Sequence, residues 1–259
     1  MMLPFRVGTF IHNQSEKTMH HVNEADQHMK VVLIIGGTSG IGLATALLFR
    51  EDHKVIIIGR NINKIAANPE LYGSLRISFD VSDLREIDGL LPRLEPLGIS
   101  KIVHCAGIFR RDGSADEAYR EAYRATKMGG VELIRRLIAQ DPGRITHVCA
   151  VSSLFTLMPD SLAPSFERGC QREMEEVILG LEGVITNSVA PSLVRTPMIV
   201  EAYGECDIEE FLSHSPGSRI LEPIEVAREI YSLCNQERIT GKVIPVDGGY
   251  LNNLLPDSE

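Results

Sequence analysis

Two stretches of the chain carry residues whose types and spacing could do chemistry. The first is Gly36-Gly37-Thr38-Ser39-Gly40-Ile41-Gly42, which follows one apolar run and opens an apolar-periodic one. Glycines at 36, 40 and 42 let the backbone turn tightly and set the N-terminus of the next helix against a pyrophosphate, whose charge that helix end favours. Such a turn is weak evidence alone, but between a strand and a helix it stands in the context a dinucleotide site requires. The second is Ile58-Gly59-Arg60-Asn61, at the end of the next apolar run. A site selective for a free ribose 2′-hydroxyl wants a carboxylate there, and one for a 2′-phosphate wants an arginine. Arg60 is present and no acid is, which favours NADP(H) over NAD(H).

The elements that must position these residues follow a regular order. Short apolar runs at 31–35, 54–58, 75–79, 100–105, 145–151, 183–189 and 242–246 read as strands. Periodic stretches at 41–49, 117–139 and 224–234 read as helices, and another helix is expected from Pro164. Leu133, Ile134, Leu137 and Ile138 form the apolar stripe of the long one. β-Branched runs alternating with helices call for a parallel sheet covered on both faces, hence a single doubly wound α/β domain of about seven strands over 29–259. Residues 1–28 show neither period and read as a flexible N-terminal extension. They hold His12, His20, His21 and His28, whose spacing matches no usual metal site.

Composition narrows the function classes. The 259 residues, 44% hydrophobic and 24% charged, are enough for one full-sized core. A net charge of −9 with no basic block argues against a nucleic-acid surface. The five cysteines (Cys105, Cys149, Cys170, Cys206, Cys234) are odd in number and scattered, which fits a reducing compartment and neither a metal site nor a disulfide framework. No apolar run approaches the ~20 residues needed to cross a bilayer. The expectation is a cytoplasmic protein with a small-molecule substrate and no metal, membrane or nucleic-acid partner.

With these motifs in order, the chain resembles the short-chain dehydrogenase/reductase family, a Rossmann-type fold, over roughly residues 30–252. The glycine spacing is that family's, with Ile35 where it usually has threonine. Asp80-Val81 looks like its adenine-contacting pair, and His104-Cys105-Ala106-Gly107 like its N-N-A-G with both asparagines replaced. Asn187 to Pro197 resembles N-x-V-x-P-G-x-V-x-T-P, with Ser192 for the glycine. Gly241 to Gly249 is similar to its final strand. The resemblance implies a cofactor set of Gly36, Thr38, Ser39, Gly40, Ile41, Gly42, Arg60, Asn61, Asp80, Val81, Cys105, Ala106, Gly107, Pro191, Val194 and Thr196. It also implies a homodimer or homotetramer packed through the helices at 117–139 and from Pro164, and a substrate lid over 197–218.

At the catalytic end the resemblance breaks. Ser153 takes the family's serine position, but its tyrosine and lysine positions, 13 and 17 residues on, hold Phe166 and Cys170. No shift of alignment rescues the pair, because residues 154–190 contain neither tyrosine nor lysine. Losing a positioned acid typically costs ~10²–10⁴-fold in rate. Restoring both as Phe166→Tyr with Cys170→Lys is expected to raise weak carbonyl reduction. Tyr123-Arg124-Ala125-Thr126-Lys127 also reads Y-x-x-x-K, but it precedes the serine and is expected not to be the catalytic pair. Thr126 or Lys127 falls at the family's relay asparagine; Lys127 is then either a substitute cation or a solvated surface lysine. Glu173, one turn beyond Cys170, reads as a proton carrier or a rim carboxylate, and Cys170 as a small buried hydrophobe. Three functions stay open: an atypical reductase of activated C=N, C=O or C=C bonds, a non-redox cyclase, isomerase or lyase, and a catalytically silent binding protein.

Overall fold

The computed structural model describes residues 29–66, 68–111, 113–161, 165–213 and 219–254. The N-terminal extension with its histidines, and Pro164, lie outside the described residues. The strands are β1 (Val31–Ile35), β2 (Lys54–Gly59), β3 (Leu75–Ser78), β4 (Ile99–His104), β5 (His147–Val151), β6 (Ile185–Pro191) and β7 (Lys242–Val246). The helices are α1 (Gly40–Phe49), α2 (Ile87–Leu94), α3 (Glu117–Gln140), α4 (Ser165–Leu179), α5 (Pro197–Ser213), α6 (Pro223–Cys234) and α7 (Tyr250–Leu254). All pairings are parallel, in the order β3-β2-β1-β4-β5-β6-β7. This is the doubly wound α/β sheet that the sequence predicts.

The pleat of the strands explains why nearly every residue in them is apolar. Successive side chains point to opposite faces, and both faces are covered. Leu33 and Ile35 of β1 join Ile56 and Ile58 of β2 in one cluster, with Leu133 of α3 and Met174 of α4. Val32 and Ile34 join Val55 and Ile57 in another, with Phe49 of α1 and Ile230 of α6. Each buried aliphatic side chain contributes roughly 1.5–3 kcal/mol. A register slip of one residue would exchange the two clusters, so pairing is strongly fixed.

Local signals set the helix that matters most. Asp116 caps α3, its carboxylate accepting from Ala118 N at 3.0 Å and Tyr119 N at 3.3 Å. Sequence reading missed α2, α5 and α7. In α2 the stripe Ile87, Leu90, Leu91 and Leu94 is present, but Gly89 and Pro92 interrupt its propensity. Within α5, Gly204 adopts φ 72° and ψ 162°, which breaks the helix inside the expected lid. No helix among the described residues is long and apolar enough to cross a membrane.

Candidate functional site

Strand order reverses at β1, which lies between β2 and β4, and the crevice beyond the carboxyl ends of the strands there is where open α/β sheets bind ligands. The loops after β1, β2, β4, β5 and β6 converge on it. Gly36 N donates to Ile58 O at 2.8 Å and Cys105 N to Ile35 O at 2.8 Å, tying three of these loops together. Gly36 has φ +86°, and a Cβ there would stand 2.6 Å from Ala106 N. A Cβ on Gly42 would stand 2.3 Å from Gly36 O. The turn therefore closes only with glycine at both positions.

A cavity of about 680 Å³ occupies the crevice. All sixteen residues of the expected cofactor set line it, from Gly36 to Thr196, together with Thr126, Lys127 and Ser153. The lining residues outside that reading include Lys64, in the turn after β2; Tyr123 on α3; Gln171 on α4; and Tyr250. Among the described residues, no group of three or more His, Cys, Asp or Glu side chains stands close enough to hold a metal.

The end of the cavity at the glycine turn fits an anion. Ser39, at the N-cap of α1, makes no side-chain cap bond, and the first turn of α1 carries no acid. Its leading amides are thus left to a ligand at the positive end of the helix. Arg60 and Lys64 line the cavity where β2 ends. A nicotinamide dinucleotide would be held by these groups, with Arg60 and Lys64 facing any 2′-phosphate.

The far end differs from expectation in several ways. Lys127 is no surface lysine: it is 5% exposed, its Nζ donates to Val151 O at 3.4 Å, and burial lowers its pKa to about 8. The space comes from Gly107, whose missing Cβ would lie 3.2 Å from that Nζ. Thr126 is committed to the helix, its hydroxyl donating to Ala122 O at 2.8 Å. Tyr123 is buried, and its Oη accepts from Gln171 Nε2 at 2.8 Å. Ser153 Oγ accepts from Phe155 N at 3.3 Å, which leaves its hydroxyl hydrogen for the cavity.

Phe166 and Cys170 do not line the cavity. They pack behind Tyr123 in a small cluster with Tyr119, where Phe166 meets the Tyr123 ring at 5.9 Å and the Arg120 guanidinium at 4.7 Å. Tyr123 belongs both to this cluster and to the cavity lining. Cys170 is buried and its thiol pKa raised by desolvation, as suits a small hydrophobe. Glu173 pairs with Arg124 at 2.8 Å on the surface, away from the cavity. Desolvation pushes Cys105 up to about 12 and leaves it inert.

Comparison with known proteins accords with this architecture. The chain is 29% identical over 240 residues to carbonyl reductase family member 4 of Xenopus laevis, covering 85% of this chain and 97% of that one. It is 29% identical over 239 residues to a human 3-oxoacyl-[acyl-carrier-protein] reductase, with the same coverage. Among solved structures, ElxO with NADP bound superposes with a TM-score of 0.74 at 24% identity, covering 86% of this chain and 99% of that one. Aldohexose dehydrogenase of Thermoplasma acidophilum gives 0.76 at 22%, covering 91% and 98%. A family model described as enoyl-(acyl carrier protein) reductase matches residues 177–251. The model described as short chain dehydrogenase matches residues 30–205, which spans both the glycine turn and Ser153, and the chain belongs to that family.

Proposed function

We propose that the protein is an NADP(H)-dependent oxidoreductase acting on a small molecule with an activated C=O, C=N or C=C bond, without the tyrosine and lysine its family carries on the helix after the serine. The observation that carries this reading is the convergence of the whole expected cofactor set, with Arg60 and Lys64 at the ribose end, on one cavity. The named activities of the relatives, carbonyl and 3-oxoacyl reductases, favour a carbonyl as the reacting group. A bound nicotinamide would supply hydride. The chain's part is to orient the substrate, exclude water and provide a proton. Phe109, Phe155, Met158, Met198 and Tyr203 give the substrate end an apolar and aromatic wall, so the preferred substrate is apolar. Phe109 and Tyr203 stack at 5.7 Å, which ties the first half of α5 to the loop after β4.

The test is direct titration of purified protein with NADPH and NADH by fluorescence. A severalfold tighter NADPH complex is expected. Equal affinities would remove the NADP assignment, and no binding of either would remove the oxidoreductase reading.

A further inference from the structure

Tyr123 and Lys127 lie one turn apart on α3, and both line the cavity that holds Ser153. Lys127 is unusual for its burial. Lysines are almost never fully buried unless paired, yet the only hydrogen bond of its ammonium among the described residues is the long one to the Val151 carbonyl. An ammonium has three donors, so two remain for whatever fills the cavity. Among the described residues, Tyr123 Oη is engaged only as an acceptor from Gln171, which leaves the phenolic hydrogen unspent. Gln171 Oε1 is itself buried without a partner. Turning the amide over would make the phenol the donor to Oε1 and leave Nε2 as the orphan, so one donor of the pair is unspent either way. The Lys127 ammonium and the Tyr123 phenol thus present unspent donors to one cavity.

Resting on the reading of the cavity as a nicotinamide site, we propose that Lys127 is the proton donor of the reaction. Tyr123, held by Gln171, is the neutral donor that orients the substrate oxygen. One helix, α3, then supplies what the family draws from the next. In the reduction of a ketone, the carbonyl carbon gains hydride with its two electrons from the reduced nicotinamide, which leaves oxidised. The carbonyl oxygen gains a proton from Lys127 Nζ, and the neutral amine is reprotonated by water.

Which group gives the proton follows from their surroundings. Burial pushes the Tyr123 phenol far above its usual range, so it stays protonated and only donates a hydrogen bond. Lys127 titrates at about 8, near working pH, where a general acid is most effective. The titratable groups facing it are His104 and Cys105 from β4 and the loop after it, and Cys170 and Glu175 from α4. His104 stays neutral, Cys105 stays a thiol, and burial raises the Glu175 carboxyl, so desolvation dominates.

The test combines a titration that needs no activity with a kinetic arm. Protein carrying ¹³C-labelled lysine is titrated by NMR, the Lys127 signal being assigned as the one missing from Lys127→Met. A midpoint near pH 8 that falls when NADP⁺ is added is expected; a midpoint above pH 10, or none that responds to bound NADP⁺, would overturn the proposal. In the kinetic arm, NADPH oxidation is followed with 9,10-phenanthrenequinone as the probe. The kcat of the wild type should fall above pH 8. Lys127→Met and Lys127→Arg should each lose ~100-fold or more in kcat, and Tyr123→Phe should chiefly raise KM. Retention of wild-type kcat in Lys127→Met, or no turnover by wild type with NADPH bound, overturns it. So does a lysine–quinone adduct trapped by borohydride, which would make Lys127 a nucleophile. Failure to bind NADPH strikes the nicotinamide reading instead, and the Lys127 midpoint then decides the proposal alone.

Discussion

The imidazole of His104 donates its Nε2–H to the backbone carbonyl of Lys127, 3.1 Å away, and so clamps the middle of α3 to the end of β4. His104 is 1% exposed, its Nδ1 has no partner among the described residues, and desolvation lowers its pKa to about 3. Its pKa is thus depressed in the fold, and between pH 6.5 and pH 3 the unfolded chain binds the extra proton. The contribution of His104 is complete above pH 6.5 and is lost as pH falls, by roughly 1 kcal/mol per pH unit. Denaturant unfolding of wild type and His104→Asn across pH 4–7 should show a shallower acid slope in the variant. Parallel slopes would mean that His104 is not buried as described.

Lys127 works against the fold. Its buried ammonium costs stability below pH 8, where both folded and unfolded chains are charged, and the cost fades as pH rises toward 10.5. Lys127→Met should raise stability at pH 7 by about 1–3 kcal/mol and gain little at pH 10.5. Calorimetry at the two pH values checks this. A variant destabilised at both would mark Lys127 as a packing residue.

At the ribose end, Arg60→Asp should largely abolish any preference for NADPH over NADH. Lys64→Ala should weaken NADPH alone, by severalfold, because only the 2′-phosphate meets its charge. Raised ionic strength should narrow the preference of the wild type in fluorescence titrations. A Lys64→Ala variant that weakens both cofactors equally would place the lysine elsewhere on the dinucleotide.

Restoring the family residues on α4 is expected to fail, against what sequence spacing suggests. Phe166→Tyr would put its hydroxyl behind Tyr123, and Cys170→Lys would bury a second ammonium among Tyr119, Tyr123 and Phe166. The double variant should lose stability and gain no quinone reduction in the NADPH assay. A gain of tenfold or more would show that α4 still reaches the substrate.

The helices α3 and α4 pack on each other beside the sheet, and assembly through their outer faces predicts a dimer or tetramer at micromolar concentration. Light scattering gives the mass directly. A 28.6 kDa particle would exclude it.

Most of the fold could be read from the chain because parallel strands buried on both faces leave no ambiguity of face: 31–35 and 54–58 are apolar throughout. The glycine turn was legible for the same kind of reason, since few backbones other than a strand-to-helix turn demand glycine at that spacing. The rest of the site depended on facts that spacing does not encode. Tyr123 and Lys127 share a face of α3, but which face turns inward is settled by Gly107 leaving room beside β4 and by the His104 clamp. Lys64 joins Arg60 at the cavity through a single turn of 3₁₀ helix, Ile62–Ile65, too short for a period to stand out in the sequence. Phe166 and Cys170 were found as sequence positions, but spacing does not encode that they pack with Tyr119 and Tyr123 and stay out of the cavity lining.

The division of the apolar interior by the pleat has a consequence for how this protein could change over evolutionary time. The glycine turn stands on α1, whose Phe49 packs with Ile230 of α6 on one side of the sheet. The groups proposed to handle the proton and orient the substrate stand on α3 and α4, whose Leu133 and Met174 pack on the other side. Substitutions that reshape one layer are absorbed there, so their effects on stability add to those of the opposite layer with little coupling. Reaction chemistry could therefore be rebuilt on α3 and α4 while the dinucleotide platform kept its shape.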